Sequence, residues 1–341
     1  MTLLSPQACD AVWMRSPRLG FLRYSSDRLP VFMVALAACL SVAPFLLPRD
    51  VPLVVLAVWW IVSLYVRTFA PYAQHNHGHL PAFQSRTLNF AYDVLLAQVT
   101  GYPTAFWELH HNRGHHRHVL DPERDVARIV DLKTGAVMPR WWYALRGNLT
   151  ILADSYRIGR DEAARGKGAI LDKLFRELAV QVAITALLVA WSPALTVAFF
   201  VVPNLLAAYL VWWESYVHHL KVPGETVYDA SVTVTGRRFN AFNFNIGHHT
   251  AHHEKPTLHW SLLPARTEAI AAKIPEVCWR EDEGPGGLAE NPALKRSSGE
   301  PPRARRSGRG QPAPPSLASS LDDGVDVLVR AFSDRPAPGG E

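Results

Sequence analysis

The stretch VFMVALAACLSVAPFLL, residues 31–47, contains no charged side chain, and only Ser41 and Pro44 interrupt its apolar run. A second uncharged block, VPLVVLAVWWIVSLYV at residues 51–66, follows the short turn Pro48-Arg49-Asp50. A bilayer-spanning helix needs about 20 apolar residues, and flanking residues can extend both blocks to that length. The two blocks predict a helical hairpin through a membrane, with a pair of buried core helices as the alternative.

A second pair of apolar blocks strengthens the membrane interpretation. Residues 178–191 and 194–213 are separated by Ser192-Pro193, and Gln181 and Asn204 are their few strongly polar members. The plan of the first pair is therefore repeated. We predict an all-α integral membrane protein with four transmembrane helices in two hairpins.

The arginine distribution orients these spans. Both predicted hairpin turns are very short, so the arginine-bearing segments 1–29, 67–177 and 214–341 share the opposite side. Excess Lys and Arg marks the cytoplasmic side of a membrane. We therefore predict that both termini are cytoplasmic, together with a helical cap built from the long segments.

Bulk composition excludes several other classes. Apolar residues make up 48% and charged residues 19% of the chain, against about 25% charged in soluble domains. Three cysteines without pairing or metal-site spacing argue against a disulfide framework, and no cleavable signal peptide is evident. The net charge of +5 is concentrated beside the spans and in the tail, so no nucleic-acid partner is predicted.

Three regions follow from composition along the chain. Residues 1–29 are predicted to be a cytoplasmic or interfacial lead-in, and residues 30–280 form the membrane domain. Residues 281–341 are rich in Pro, Gly, Ser and Arg. Such a segment buries too little apolar surface to offset the entropy of ordering, which predicts a disordered tail.

Histidines are the chemistry-bearing residues. There are fifteen, and fourteen of them lie in four tight clusters on the predicted cytoplasmic side. The clusters are His75, His77 and His79; His110, His111, His115, His116 and His118; His218 and His219; and His248, His249, His252 and His253. Imidazole is the commonest protein ligand for iron, zinc and copper, so one polyhistidine metal site is the first hypothesis.

The spacing selects nine of these histidines. Members three or four residues apart share one face of a helix. The best-spaced set is His75, His79, His111, His115, His116, His218, His249, His252 and His253. Nine imidazoles exceed the four to six ligands of one metal and suit two, and spacing alone does not separate iron from zinc or copper. For His77, His110, His118, His248 and His259, an ordinary hydrogen-bonded histidine is the favoured interpretation, and for the pair His218 and His219 it stays open.

The three larger clusters carry a family resemblance. The patterns HxxxH at 75–79, HxxxHH at 111–116 and HxxHH at 249–253, with two predicted hairpins, resemble the histidine boxes of the membrane fatty acid desaturase superfamily, which includes related hydroxylases. NFNIGHHTAHHEKPTLHWSLLP at 243–264 and GYPTAFW at 101–107 are similar to bacterial acyl-lipid desaturases. The likeness covers roughly residues 30–275.

The resemblance implies a non-haem di-iron centre held by the eight box histidines, with O2 as co-substrate. The additional ligand after the last span falls on His218, and Glu214 stands where the family often has an asparagine. Asn245, four residues before His249, is a candidate to hold a metal-bound water. Candidate acceptors for the second ring nitrogens are Asp93, Glu108, Asp121, Asp125, Glu214 and Asp229.

The implied reaction is the introduction of a double bond into a fatty acyl chain carried by a lipid, coenzyme A or a carrier protein. The chain would enter from membrane lipid. No cysteine cluster or Gly-rich dinucleotide turn is visible in the sequence, so a separate ferredoxin or small cytochrome with its reductase would supply electrons. The implied location is a bacterial inner membrane, with the active site facing the cytoplasm.

Three alternatives stay open at this point. A hydroxylase on the same scaffold, acting on a lipid or other hydrophobic substrate, would use the same boxes. A histidine-rich metal transporter needs polar ligands at mid-membrane, whereas the predicted spans lack His, Asp and Glu in their cores. A catalytically dead membrane scaffold is disfavoured because the boxes are intact.

Overall fold

The computed structural model describes residues 20–48 and 50–280. Most of these residues are helical, and one parallel pair of two-residue strands, β1 (Thr233–Val234) and β2 (Trp279–Arg280), joins the segment after the last long helix to the end of the described chain. Most of the predicted lead-in, the turn residue Arg49 and the whole predicted tail lie outside the described residues.

The helices fall into long ones and short ones. The α-helices that position the site are α1 (Arg28–Val42), α2 (Leu53–Arg67), α3 (Ala70–His79), α4 (Arg86–Thr100), α5 (Arg140–Ala164), α6 (Ala169–Trp191), α7 (Val202–His218), α8 (Arg237–Phe242), α9 (His249–Glu254) and α10 (Leu263–Ile270). Two π-helices are Trp107–His115 and Val197–Val201, which continue the short α-turns Thr104–Phe106 and Pro193–Thr196. Single 3-10 turns are Ser25–Asp27, Ala43–Leu46, His116–His118, Trp260–Leu262, Ala271–Lys273 and Glu276–Cys278.

Four helical segments of the described chain are long and apolar enough to cross a membrane. They are Ser25–Leu46, Leu53–His79, Ala169–Trp191 and Pro193–His218. Each contains all or nearly all of one of the four apolar blocks read from the sequence. Their pairing as hairpins and the cytoplasmic position of the cap stay predictions.

The third span begins earlier than its apolar run predicts. The run predicts a start at about residue 178, with surface helices over residues 144–177, whereas α6 runs without a break from Ala169. The preceding helix α5 ends at Ala164, and the chain turns through Gly166, whose φ is +80°. Glycine adopts this backbone region without a steric penalty, so the break falls at residues 165–168.

The outer surface of the candidate spans is apolar. Leu53, Val54, Leu187 and Leu205 each expose more than 60% of their surface. Contiguous exposed apolar surface of this kind is rare on soluble monomers and typical of a lipid-facing wall. The first and third histidine clusters, by contrast, lie at the carboxyl ends of two spans, where α3 and α7 finish.

A buried arginine links several of these helices. Arg67, the last residue of α2, is 0% exposed. Its guanidinium donates to Ser41 Oγ at 2.5 Å, to the Phe199 carbonyl at 2.7 Å and to the Val99 carbonyl at 3.1 Å, and it also donates to Asn204 Oδ1. These acceptors belong to the first and fourth candidate spans and to α4, while Arg67 itself lies in the second span. We refer to this arrangement as the Arg67 node.

Candidate metal centre

The second histidine box lies on a π-helix rather than an α-helix. In Trp107–His115 the hydrogen bonds run from residue i+5 to residue i, and the His116 N–H donates to the His111 carbonyl. This geometry brings the side chains of His111 and His116 together, with their Nε2 atoms 3.0 Å apart. π-Helical turns are rare and occur frequently at functional sites.

A glycine allows this helix to pack closely. A Cβ atom on Gly114 would lie 2.6 Å from Val126 Cγ2 and 2.8 Å from Ile158 Cδ1. A side chain here would therefore push the π-helix away from α5. The close approach fixes the neighbouring His115 and His116 against the core.

The first group of convergent imidazoles takes members from all three boxes. Each of its five rings offers one nitrogen, and these nitrogens all lie within 4.8 Å of one another. The members are His75 and His79 on α3, His111 and His116 on and after the π-helix, and His252 on α9. The closest Nε2 pairs are 2.9 Å apart, between His75 and His111 and between His116 and His252.

The second group lies beside the first. His115, His219 and His253 each offer a nitrogen within 4.8 Å of the others. His249 joins them, because its Nε2 lies 3.1 Å from His253 Nε2 and 3.4 Å from His219 Nε2. The ring centroids of His116 and His253 are 4.3 Å apart, so the two groups form one continuous histidine centre.

Hydrogen bonds on the outer side of the rings aim their inner nitrogens. His115 Nδ1 donates to the two Asp125 carboxylate oxygens at 2.9 and 3.0 Å, and His219 Nδ1 donates to the Ala230 carbonyl at 3.0 Å. In this arrangement the Nε2 lone pairs of His115 and His219 face each other at 3.1 Å. Two facing lone pairs repel unless a cation lies between them, so this donor set fits a metal ion.

Burial keeps most of these rings neutral. Desolvation, followed by the neighbouring imidazoles, lowers the pKa of five box histidines well below the ordinary value: His111, His116, His249, His252 and His253. Burial likewise lowers the pKa of His219 to about 4. The neutral imidazole is the form that binds metals, and an all-nitrogen set favours a first-row transition metal over magnesium or calcium.

All eight box histidines selected from the sequence therefore meet in the histidine centre, and the ninth is the exception. His218 lies in neither group. Its ring stacks on that of His249 at a centroid distance of 4.4 Å, whereas its neighbour His219 contributes a nitrogen to the second group. The sequence signal for His219 was only its adjacency, because a pair of histidines at a helix end does not say which ring turns inward.

Other histidines are held by ordinary partners. His77 accepts from the Ala82 N–H at 3.1 Å and lies 3.2 Å from Asp93 Oδ1. His259 lies 3.0 Å from Asp27 Oδ1. His248 pairs with Thr267 Oγ1 at 3.0 Å, and none of the three belongs to either group.

Asn245 and Glu214, the two further residues predicted to assist the metal site, have different surroundings in the structure. Asn245, with a φ of +61°, donates through its side chain to the Trp260 carbonyl at 3.2 Å. Glu214 faces a cavity and has Arg140 Nη2 as its nearest cation, at 3.9 Å. Among the proposed acceptor carboxylates, Asp125 contacts a member of the histidine centre, while Asp93 contacts His77.

A channel reaches the histidine centre. It encloses about 740 Å³ of space free of protein atoms, its open mouth included, and His75, His111 and His249 line it. Its apolar walls are formed by Pro71, Tyr72, Tyr102, Phe106, Trp107, Ala127, Ile151, Val211, Trp212 and Ile246. This lining is typical of a site for a hydrophobic small molecule.

Comparison with known families identifies this arrangement. The family model described as fatty acid desaturase matches residues 51–285. The chain belongs to the fatty acid desaturase family. The resemblance read from the three histidine boxes is thereby confirmed, and the match covers every member of the histidine centre. Neither the curated proteins nor the solved structures compared with the chain include a significant match.

Membership carries a coarse functional conclusion. This fatty acid desaturase family protein is an oxidoreductase of the desaturase and hydroxylase type that acts on fatty acids, and its family is known for di-iron centres. If His219 takes the position after the last span, the residue four positions earlier is Ser215 rather than Glu214. Neither is the asparagine that the family often has there.

Proposed function

We propose that this protein is an O2-dependent membrane desaturase that introduces a double bond into a fatty acyl chain. The observation that carries the proposal is the meeting of two groups of buried, convergent imidazoles at the wall of an apolar channel. The first group would hold one iron and the second group another. The proposed ligands are the eight box histidines together with His219, which the geometry favours over His218.

The residues of the chain have distinct roles in this proposal. Asp125 and the Ala230 carbonyl hold His115 and His219 in the tautomer whose Nε2 faces inward. Phe106, Trp107 and other apolar residues of the channel exclude water and hold the acyl chain against His75, His111 and His249. Two bound irons would supply, with dioxygen and two electrons, the oxidising power that an unactivated C–H bond requires.

The location and partners follow from the same features. Four apolar spans and the family support a membrane protein whose acyl chain enters from lipid. We propose that the site faces the cytoplasm of a bacterial inner membrane, where a separate ferredoxin or small cytochrome delivers electrons. The acyl carrier is a lipid, coenzyme A or a carrier protein.

Heterologous expression with fatty-acid profiling tests the proposal. We expect a new product that has lost two hydrogens, and about two irons per purified chain. A product that has gained one oxygen would instead identify a hydroxylase on the same scaffold. A His252→Ala variant should give neither product, and an iron content near zero in the wild-type protein would refute the di-iron assignment.

A further inference from the structure

One face of α7 gives the channel an unexpected polar wall. Val211, Glu214, Ser215 and His218 have helical i, i+3, i+4 and i+7 spacing, and all four line the channel. Three of the four are polar, although the remaining walls are mostly aromatic or aliphatic. We call Glu214, Ser215 and His218 the polar stripe. An unbroken hydrocarbon chain offers these side chains no hydrogen bond.

Glu214 has no hydrogen-bond partner among the described residues. Its side chain is only 17% exposed, and Arg140 Nη2, the nearest cation, is 3.9 Å away, beyond hydrogen-bond distance. Arg140 instead donates through Nε to the Trp213 carbonyl at 2.8 Å, and its guanidinium stacks over the Trp213 ring at 4.2 Å. A buried carboxylate without a donor is costly, so a group in the channel is expected to supply one.

Two imidazoles on the channel wall also lack partners. His110, 4% exposed, packs edge-on against Trp212 at a centroid distance of 5.0 Å, and its Nε2 has no hydrogen-bond partner among the described residues. His218, also 4% exposed, leaves its Nδ1 unpaired within the same part of the chain. The channel thus presents a carboxylate acceptor together with imidazole nitrogens that can donate or accept.

We propose that the polar stripe binds a hydroxyl group carried by the substrate, so that the channel selects a hydroxylated chain over an unbroken hydrocarbon of the same length. A hydroxyl donates, as Glu214 requires, and also accepts, as an imidazole N–H requires. A carbonyl or ether oxygen only accepts and would leave Glu214 unpaired. A site built to hydrogen-bond a substrate hydroxyl discriminates strongly against analogues without it. The inference rests on the proposed function, because it specifies the substrate of the same site.

Competition binding tests the inference without turnover. The full iron-loaded chain is placed in lipid nanodiscs without reductant and is given labelled octadecanoate. Unlabelled octadecanoate, or one of a series of hydroxyoctadecanoates that differ in the position of the hydroxyl group, then competes with the labelled probe. We expect at least one hydroxylated position to compete about tenfold to a hundredfold better than octadecanoate, the range for a hydrogen bond to a charged group. Glu214→Leu should reduce this preference to about twofold or less. Glu214→Gln should keep a preference of about threefold to tenfold, because the amide oxygen still accepts a hydrogen bond but carries no charge.

Matched variants separate recognition from folding. Leu210→Val changes an exposed apolar residue of the same helix, outside the channel wall, and should leave the preference unaltered. If Glu214→Leu fails to fold, Ser215→Ala carries the test, and it should lower the preference about threefold. Equal binding of all probes by the wild-type chain would overturn the inference. So would a preference that Glu214→Leu or Ser215→Ala leaves unchanged, or a Gln variant that behaves like the Leu variant.

The binding assay also distinguishes this inference from the proposed function. A chain that prefers a hydroxyoctadecanoate but binds no iron and oxidises nothing would refute the desaturase proposal and retain the polar stripe as a binding site. A chain that oxidises fatty acids yet binds every probe equally would refute the polar stripe as a hydroxyl-binding site and would leave the proposed function standing.

Discussion

The Arg67 node and the histidine centre are both buried polar clusters, but they differ in the groups that form them and in how these groups are paired. At the node a guanidinium donates to four oxygen acceptors, and only its Nε lacks a partner. At the centre, imidazole nitrogens face one another at 2.9–3.4 Å. At the Arg67 node the cation belongs to the protein and is already paired, so the cluster has a structural role. At the histidine centre the nitrogen lone pairs converge, so the cluster is suited to binding a metal ion.

The difference matters because both clusters would look alike in a count of buried polar residues. Arg67 is an ionisable group within a candidate span, which by default suggests function. Its partners, however, are carbonyl, hydroxyl and amide oxygens of neighbouring helices, and among the described residues it has no carboxylate partner. We therefore assign the node to holding the spans together and the centre to chemistry.

The largest expected effect comes from emptying the first group. His252→Ala removes the ring whose Nε2 lies 2.9 Å from that of His116. We expect a loss of oxidation of at least about a thousandfold and a marked fall in bound iron, with little change in helical circular dichroism. His118→Ala, a partly exposed histidine outside both groups, is the matched control and should retain both iron and activity. If the two variants lose iron equally, the centre is not the metal site.

The two neighbouring histidines at the end of α7 sharpen the contrast within the centre. His219→Ala removes a nitrogen that lies 3.1 Å from His115 Nε2, so we expect about one iron per chain to be lost and activity to fall about a hundredfold. His218→Ala removes a ring outside both groups and should keep the full iron content, measured by metal analysis of the purified protein. The reverse result would return the ninth ligand to His218.

Removing the buried cation should affect stability rather than metal binding. Arg67→Met leaves several acceptors without a donor, at about 1 kcal/mol for each lost hydrogen bond, so we expect destabilisation of about 2–3 kcal/mol. Thermal unfolding in detergent measures the loss, with Arg86→Met at the exposed start of α4 as a control that should change little. The folded fraction should retain its iron. Loss of iron without loss of stability would mean that the node belongs to the metal site after all.

The smallest effect concerns the orientation of a single ligand. Asp125→Asn keeps an oxygen acceptor for His115 Nδ1 but removes the negative charge, and changes of this kind cost about tenfold to a hundredfold in metal affinity. Competition with a chelator measures this change. Asp121→Asn, in the preceding turn, changes the same kind of residue outside the histidine centre and should leave affinity unaltered. An unchanged affinity in Asp125→Asn would remove this carboxylate from the account of the centre.

Much of this architecture could be predicted because its signals are local. The apolar blocks are recognised by a length that matches the bilayer thickness, and each lies almost entirely within a helix of sufficient length. The convergence of the box on α3 could also be predicted from local spacing, since the i, i+4 pair His75 and His79 belongs to one group. The start of α6 was missed because apolar content marks the lipid-crossing part of a helix, not its first turn at Ala169.

The sequence by itself determined which residues are available: four apolar spans, three histidine boxes and membership of a family of fatty-acid oxidases. Only the tertiary structure decided how the boxes divide, because the π-helix sends His111 and His116 to one group and His115 to the other. It also decided that His219 turns inward and that Arg67 meets oxygens from distant segments. Spacing fixes the direction of a side chain around its own helix, but its partners depend on where the other helices pack.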